Sequence, residues 1–246
     1  MIEIRNLYKS MASKPVLKGI DIDIKDGEIL TLLGGSGVGK SVFLKNIIGL
    51  LKPDRGSIRV DGTEVTKLKS KALSRMQTKF GMVFQGGALF DSLTVAENVA
   101  FGLKRLTDYS PEKINKKVTE YLSMVNLEGV EDKLPESLSI GMKRRVSLAR
   151  SIATQPEYIF YDEPTTGLDP ITTDVICRLF VDLQEDLGLT SVIVTHDIVT
   201  AYKVSDRIAL IHEGRIVEVD SVEEFKKSSN GHVRNFIDIN TRGLKE

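Results

Sequence analysis

The sequence contains little of what several classes of protein depend on. A single cysteine, Cys177, allows no internal disulfide bond, and three scattered histidines lack the spacing of metal ligands. No apolar run approaches the ~18 residues of a membrane-spanning helix, and the first residues lack the apolar core of a signal peptide. We therefore expect a soluble protein of a reducing, cytoplasmic compartment.

An excess of charge of either sign is absent as well. The 34 lysine and arginine side chains match 34 aspartate and glutamate carboxylates. Whole-chain charge therefore gives no argument for a nucleic-acid partner, and we expect none. Apolar residues make up 41% of the 246, enough for a sizeable core, and this length suits one α/β unit with an inserted lobe.

Two kinds of apolar segment indicate two kinds of β-strand. Apolar and polar residues alternate, as in half-exposed antiparallel strands, in residues 2–8, 20–24 and 57–62. Continuously apolar stretches, typical of buried parallel strands, occupy residues 28–33, 80–85, 158–163 and 191–196. Helical patterns lie between them, so the sequence predicts an α/β fold with a doubly wound parallel sheet and an antiparallel β lobe.

Apolar spacing also predicts individual helices and a hairpin. The helical repeats are Ile114, Val118, Leu122 and Val125, and then Val175, Leu179, Leu183 and Leu187. Residues 207–219 are typical of a hairpin that turns at Glu213–Gly214. We assign residues 1–225 to one domain with a mostly helical inserted lobe at about 90–145. The tail, 226–246, is polar and only loosely patterned.

The strongest local motif is GGSGVGKS, which follows the apolar segment 28–33 and opens a helical pattern. It fits G-x-x-x-x-G-K-[ST], in which glycines let consecutive N–H groups face one anion and the helix start adds its positive end. The lysine reaches the β- and γ-phosphates of a nucleotide, and the serine ligates Mg²⁺. The alternative is a glycine-rich turn with a solvated lysine. The predicted binding residues are Gly34, Gly35, Ser36, Gly37, Val38, Gly39, Lys40 and Ser41.

A pair of carboxylates ends the apolar segment 158–163. In a phosphate-loop protein, Asp162 is predicted to hold Mg²⁺ through water, and Glu163 to polarise the attacking water as a general base. The alternative for both is an acidic strand end that faces solvent. Metal-dependent hydrolysis by the pair alone is disfavoured, because no histidine or further aspartate cluster accompanies it.

Two more polar residues stand at the ends of predicted strands. Gln85 follows FGMVF, where its side chain can touch Mg²⁺ or water and sense movement of the lobe that follows. His196 follows SVIVT, where a neutral imidazole can donate a hydrogen bond to a γ-phosphate oxygen. The alternatives are a surface glutamine and a histidine that caps the next helix.

The stretch PESLSIGMKRR, residues 135–145, opens another helical pattern. Ser139 and the N–H groups around Gly141 can bind a phosphate at the start of this helix. A second phosphate site in one chain is redundant after residues 34–41. If two copies of the chain pack with two-fold symmetry, each can complete the other's nucleotide site. The alternative is a plain helix N-cap followed by an ordinary amphipathic helix, which this stretch by itself favours.

In this order, the motifs resemble those of the ATP-binding subunit of ABC transporters, over residues 2–225. The corresponding elements are Walker A at 34–41, the Q-loop at Gln85, Walker B with its glutamate at 158–163, the D-loop at 166–170 and the switch histidine at His196. SLSIGMKRR lies where the family has its Leu-Ser-Gly-Gly-Gln signature, which binds the γ-phosphate of ATP on the partner subunit. The resemblance implies ATP hydrolysis with Mg²⁺ by a pair of subunits.

Two positions depart from the family pattern. Ile140 replaces the first signature glycine, although Ser139 and Gly141 remain. A β-branched residue narrows the backbone choices there, so we expect a weaker or reshaped contact with the partner's ATP. Met11 takes the place of the aromatic residue that usually stacks on adenine; it covers the ring with less geometric definition.

A narrower resemblance concerns the cargo. The segments GKSVFLKNIIGLLKPDRGSI, FQGGALFDSLTVAENVAFGL and DEPTTGLDPIT are similar to the ATPases of the bacterial Mla and Mce lipid-transport systems. The similarity implies phospholipid transport and a peripheral location on the cytoplasmic face of the inner membrane. It also implies an integral permease, an MCE-domain substrate-binding protein and sometimes a small STAS-domain protein as partners.

Three other functions stay open. The first is the ATPase of an importer for amino acids or other small solutes, which uses the same chemistry. The second, an ABC protein that acts on nucleic acid or ribosomes, is disfavoured because the chain has neither tandem cassettes nor a long coiled-coil insertion. The third is an ATP-dependent dimer switch without turnover, which Ile140 permits and which Glu163 and His196 disfavour.

Overall fold

A computed structural model describes residues 1–241, so the last five residues of the predicted tail, 242–246, lie outside the described residues. The chain divides into two compact units. The first unit consists of residues 1–77 together with those from 190 onward, and the second of residues 78–189.

Strands and helices follow one another along the whole described chain. The strands are β1 (Ile2–Met11), β2 (Lys14–Ile24), β3 (Ile29–Leu33), β4 (Arg55–Val60), β5 (Thr63–Glu64), β6 (Phe80–Val83), β7 (Tyr158–Asp162), β8 (Thr190–Thr195), β9 (Arg207–His212) and β10 (Arg215–Ser221). The helices are α1 (Lys40–Ile47), α2 (Ser70–Gln77), α3 (Val95–Leu106), α4 (Pro111–Met124), α5 (Ile140–Ile152), α6 (Pro170–Leu187), α7 (Ile198–Val204), α8 (Val222–Lys227) and α9 (Gly231–Thr241). None of these helices has the length and apolar character needed to cross a bilayer.

The first unit contains an antiparallel sheet in the order β2–β1–β4–β5, which confirms the predicted antiparallel lobe. Ile2 and Ile4 of β1 are fully buried, as the alternating pattern requires. Asn6 then adopts a left-handed conformation with φ 49°, and the pairing register shifts between Ile4 and Leu7. This irregularity turns Leu7, rather than Asn6, toward the core.

The first unit also holds the central parallel strands. β3 lies between β8 and β9 and runs parallel to both, while β10 pairs antiparallel with β9. Every residue of β3 and β8 is buried, as predicted from their continuously apolar sequences. Leu33 is paired with Thr195 at the end of β8, so the chain leaves both strands at the same edge of the sheet.

The second unit combines the parallel pair β6–β7 with helices α3 to α6. Helices α3, α4 and α5 pack on one another, in the region where the sequence predicts a helical lobe. Helix α4 buries Ile114, Val118 and Leu122, and Val125 just beyond its end is buried as well. The apolar face predicted for this helix is therefore confirmed.

Helix α6 is present as predicted, but its buried face differs from the predicted one. Leu179 and Leu183 are buried, whereas Val175 and Leu187 are each 39% exposed. A strict four-residue repeat drifts by about 40° per step around a helix of 3.6 residues per turn, so its two ends leave the core-facing side. The remaining buried positions are Ile176, Cys177 and Phe180.

The C-terminal part of the first unit contains one confirmed element and one unpredicted helix. The β9–β10 hairpin turns at Glu213–Gly214 as predicted; both residues have positive φ, 48° and 79°, as a type I′ turn requires. Helix α9 forms in the polar tail, where the sequence predicts no element. Its Val233 is fully buried in a cluster with Phe225 and residues of β3, α7 and β9, and Phe236 packs against the same cluster.

Candidate functional site: a phosphate loop and a carboxylate strand end

The loop between β3 and α1 is shaped by its glycines. Gly37 and Gly39 have φ of 77° and 110°, which residues with a side chain rarely adopt. A β-carbon on Gly39 would lie 2.8 Å from Cγ1 of Val16, so this position has no room for one either. The Gly39 carbonyl accepts the first helical bond, from the Phe43 N–H at 2.8 Å. The predicted context of strand, glycine loop and helix is confirmed.

Lys40 is the first residue of α1 and is only 6% exposed. Its Nζ donates hydrogen bonds to the carbonyls of Gly34 at 2.8 Å and Gly35 at 2.9 Å. The ammonium group is therefore held within the loop itself, while Gly35, Ser36 and Gly37 are exposed. Such a loop can offer N–H groups, a helix start and a positive charge to an anionic phosphate.

His196 lies at the same sheet edge as the glycine loop. The Gly34 N–H donates to the carbonyl of Thr195, the residue before His196, at 3.3 Å. The imidazole is exposed. The alternative role of His196 as a helix cap is wrong, because Asp197 caps α7 by accepting the Val199 N–H at 2.9 Å.

In the second unit, Asp162 ends β7 and Glu163 begins the following loop. Asp162 is 8% exposed, and Glu163 has a φ of 50°, unusual for a residue with a long side chain. The Thr166 hydroxyl donates to Glu163 Oε2 at 3.1 Å. The solvent-facing alternative is therefore wrong for Asp162, and the carboxylate of Glu163 is oriented by its own loop.

Gln85 lies just after β6, at the edge of the second unit where Asp162 and Glu163 follow β7, but it is not part of β6. β6 ends at Val83, whose partner in β7 is Tyr161, one residue before Asp162. The chain then turns, with the Gly87 N–H donating to the Phe84 carbonyl at 2.8 Å. Gln85 is thus an exposed turn residue at the edge where Asp162 and Glu163 emerge, which corrects its predicted place at the strand end.

The structure places Ser139 at the N-cap of α5, where its Oγ accepts the Met142 N–H at 3.2 Å. Gly141 is buried, and a β-carbon there would lie 2.6 Å from Cγ2 of Thr172, so the glycine lets α5 approach the start of α6. Ile140, between them, is 59% exposed. Ser139 therefore caps α5, as the alternative predicts, and the start of this helix is exposed.

Three side chains for which the sequence predicts no role fasten the backbone of residues 84–94, the segment that contains Gln85. Asn98 of α3, fully buried, accepts the Phe90 N–H and donates to carbonyls of residues 90, 93 and 94. Arg150 of α5 donates to the carbonyls of Gly87 at 2.9 Å and Ala88 at 2.7 Å. Arg144, also of α5, donates to the Phe84 carbonyl at 2.9 Å. Arg144 stands four residues before the buried Leu148, so a charge in the apolar phase of the helix was a readable signal.

The donors predicted for a metal ion are hard oxygen ligands. Within residues 1–241 no group of three or more histidine, cysteine, aspartate or glutamate side chains is arranged to hold a metal. Mg²⁺ typically takes only one or two protein oxygens and keeps waters and substrate phosphates as its other ligands. The Ser41 hydroxyl, the Asp162 carboxylate and the Gln85 amide therefore fit this ion chemically.

Comparison with known protein families gives a clear match. The family described as ABC transporter matches residues 17–166. Three curated relatives are similar over most of the chain. The "Probable ribonucleotide transport ATP-binding protein mkl" of Mycobacterium leprae is 40% identical over 96% of this chain and 68% of its own length. The "Methionine import ATP-binding protein MetN" of Carboxydothermus hydrogenoformans is 43% identical over 89% and 65%. "Protein TRIGALACTOSYLDIACYLGLYCEROL 3, chloroplastic" of Arabidopsis thaliana is 40% identical over 96% and 73%.

The chain spans about two thirds of the length of these relatives. A solved structure is similar over nearly its full length. It is the ATP-binding cassette MJ0796 in a dimeric post-hydrolysis state bound to ADP and Pi, with 34% identity, a TM-score of 0.83, and coverage of 90% of this chain and 99% of that one. The chain therefore belongs to the ABC transporter family, as an ATP-binding cassette that hydrolyses ATP.

Proposed function

We propose that this chain is the ATP-hydrolysing subunit of a bacterial ABC transporter that moves phospholipid or a related lipid between membranes. The similarity of residues 39–58, 84–103 and 162–172 to the Mla and Mce ATPases carries the lipid assignment. The name of the Arabidopsis relative, which is that of a glycolipid, supports it. Exposing a two-chain lipid to water costs on the order of 20 kcal/mol at about 0.8 kcal/mol per CH₂, so other chains must supply a shielded path.

In the proposed reaction, the loop 34–41 binds the phosphates of ATP through its N–H groups, with Lys40 on the β- and γ-phosphates. Ser41, Asp162 and Gln85 would hold Mg²⁺, which neutralises developing charge on the phosphates. Glu163, oriented by Thr166, accepts a proton from the attacking water. His196 donates a hydrogen bond to a γ-phosphate oxygen, and Met11, 42% exposed, covers the adenine ring.

We further propose that two copies of the chain share their sites. Ser139 and the N–H groups around Gly141 bind the γ-phosphate of ATP held by Lys40 of the second copy. The exposed helix start at Ser139 supports this, as does the dimeric state of the related MJ0796 cassette. A lone chain should then be nearly inactive, and its activity should rise steeply with dimerisation.

Mixing two inactive variants, Lys40→Ala and Ser139→Arg, tests the sharing. In a mixed dimer one composite site carries both lesions and the other carries none, so we expect partial recovery of ATPase activity. ATP-driven dimerisation of the mixture is measured in parallel, because ATPase activity would not recover if both sites of a dimer must be intact for either to hydrolyse ATP. Failure of both readouts would contradict shared sites and leave Ser139 as a helix cap only.

The proposed partners are an integral permease, an MCE-domain substrate-binding protein and possibly a small STAS-domain protein, at the cytoplasmic face of the inner membrane. We expect the segment after Gln85 to contact a cytoplasmic helix of the permease. Phe90 is 41% exposed, packs on Phe101 at 4.5 Å between ring centroids, and lies under the Arg150 guanidinium. A photo-crosslinker at Leu89 or Phe90 should capture a membrane protein in native membranes, and the same probe at exposed Leu134 is the control.

Cargo is tested on the transporter purified from native membranes through a tag on this chain. We expect ATPase activity to respond to phospholipid in nanodiscs and not to methionine or ribonucleotides. Stimulation by methionine alone would favour the small-solute importer, the second candidate, which the 43% identity to MetN supports.

A further inference from the structure

Arg144 occupies an unusual place for an arginine. It lies in the second turn of α5, five residues after the N-cap Ser139, and is only 6% exposed. Within residues 1–241 no carboxylate forms an ion pair with its guanidinium. Burial lowers the pKa of this guanidinium, which nevertheless stays protonated at neutral pH. The second unit therefore contains a buried positive charge whose hydrogen bonds go to neutral carbonyls.

The two carbonyls that Arg144 contacts belong to different loops of the second unit. Its Nη1 donates to the carbonyl of Phe84 at 2.9 Å, immediately before Gln85. Its Nη2 donates to the carbonyl of Thr166 at 3.4 Å. A guanidinium is planar and presents its donors in a fixed fork, so one side chain sets the spacing between these loops.

The second of these loops also orients Glu163. The Thr166 hydroxyl donates to Glu163 Oε2 at 3.1 Å, and the Thr166 N–H donates to the Glu163 carbonyl at 3.4 Å. Glu163 itself has a left-handed backbone, which only surrounding contacts maintain. A displacement of Thr166 would therefore turn the carboxylate, and Arg144 is the side chain that fastens the Thr166 backbone.

We propose that Arg144 is a positioning residue for ATP hydrolysis, which sets the carboxylate of Glu163 through Thr166 and the start of the Gln85 turn through Phe84. This inference rests on the proposed role of Glu163 as general base. Because Arg144 belongs to the helix that Ser139 begins, a shift at the signature end of α5 is transmitted to both loops. Arg144 contacts neither ATP nor water in this scheme.

A role in stability alone accounts poorly for this arrangement. An unpaired buried cation is costly compared with an apolar residue of similar volume. Arg145, the next residue, offers the comparison: it also donates to a backbone carbonyl, of Asn126 at 2.7 Å, and burial also lowers its pKa. That carbonyl lies just after α4, away from the Gln85 and Glu163 loops in sequence and contacts.

The test compares Arg144→Lys with Arg145→Lys in the full chain. Lysine keeps the charge and length but loses the fork. For Arg144→Lys we expect kcat to fall by about 10–100-fold, the loss typical of a misplaced catalytic group, with the Kd for an ATP analogue within about twofold. Arg145→Lys should leave kcat and Kd unchanged. Melting temperatures are measured for both, and Arg144→Gln replaces Arg144→Lys if the latter does not fold.

A double-mutant cycle tests whether Arg144 acts on Glu163 through Thr166. Thr166→Val removes the hydroxyl that contacts Glu163, and combining it with Arg144→Lys should lower kcat by clearly less than the product of the two single effects. Unchanged kcat in Arg144→Lys, an equal fall in Arg145→Lys, or multiplicative effects in the double variant would overturn the inference. Glu163→Gln alone tests the general base, so failure of that role is distinguishable from failure of Arg144.

Discussion

The glycine loop at 34–41 and the backbone around Gln85 and Glu163 both present polar groups at strand ends, but they are held in different ways. In the glycine loop, conformation is set locally, by positive φ at Gly37 and Gly39 and by Lys40 bonding back to Gly34. Around Gln85 the turn is fastened by side chains that come from elsewhere in the sequence, 60 positions away for Arg144 and 63 for Arg150 at Gly87.

This difference determines how each region responds to substitution. A locally shaped loop depends on a few residues that cannot be replaced, because no other side chain fits the backbone. A loop fastened by distant arginines and an asparagine has several attachment points, so each single loss is partial and moves a catalytic group rather than removing it. We therefore expect the largest effects at the glycine loop and graded effects in the second unit.

The largest effect is expected for Lys40→Ala in the glycine loop, and a small effect there would contradict the contrast between the two regions. The change removes the cation proposed for the β- and γ-phosphates, and also the two hydrogen bonds that close the loop. We expect kcat/KM for ATP to fall by about 10³–10⁵, the range for a cation on a transferring phosphoryl group. Lys45→Ala, in the last turn of the same helix, is the control. Normal turnover with unchanged affinity for an ATP analogue would exclude Lys40 from phosphate binding.

Glu163→Gln should affect chemistry without affecting binding. An amide keeps the size of the side chain but cannot accept the proton, so we expect hydrolysis to fall by about 10²–10⁴ while ATP still binds. Phosphate release measures the effect on hydrolysis, and an equilibrium titration with ATP measures the effect on binding. Glu157→Gln is the matched control, because Glu157 is an exposed carboxylate paired with Lys79 at 2.9 Å, a pair of little energetic weight. Turnover near the wild-type rate would remove Glu163 from the role of base.

Asn98→Ala tests how far the second unit depends on fastening by side chains. The change leaves the Phe90 N–H and three carbonyls of residues 90–94 without this buried partner. We expect the free energy of unfolding to fall by about 2–4 kcal/mol, as for other losses of buried hydrogen-bond networks. Urea denaturation measures it, with Asn115→Ala on the exposed face of α4 as control. A loss as small as that of Asn115→Ala would mean that other contacts hold this segment.

The same contrast explains what the sequence could predict. Buried strands β3, β7 and β8 and the glycine loop are encoded by neighbouring residues, so their apolar runs and glycine spacing are sufficient signals. The position of Arg144 in the apolar phase of its helix is a signal of burial, but nothing in the sequence identifies the carbonyls that accept from Asn98, Arg144 and Arg150. Every residue has a carbonyl, and which ones accept depends on tertiary structure. The sequence does not predict α9 for a related reason, since Val233, Phe236 and Ile237 form an apolar stripe of little more than one helical turn.

Ile140→Gly is expected to have the smallest effect. It restores the glycine of the family signature in the second unit, where side chains rather than glycines hold the loops, and so tests the contrast with the glycine loop directly. Ile140 is 59% exposed at the first position of α5, so it contributes little to the core of its own chain. Removing its branched side chain frees the approach to Ser139. We expect turnover and ATP-driven dimerisation to rise, by less than about tenfold, which corresponds to 1.4 kcal/mol.

Ile140→Ala separates the two possible causes of that rise. Alanine removes the bulk but keeps the helical preference, whereas glycine also frees the backbone. An equal gain in both variants assigns the effect to steric bulk beside Ser139, and a gain in glycine alone assigns it to backbone conformation. A fall in dimerisation in both variants, at unchanged melting temperature of the monomer, would contradict the prediction. It would mean that the exposed isoleucine contacts the second copy and that the signature of this chain is fitted around it.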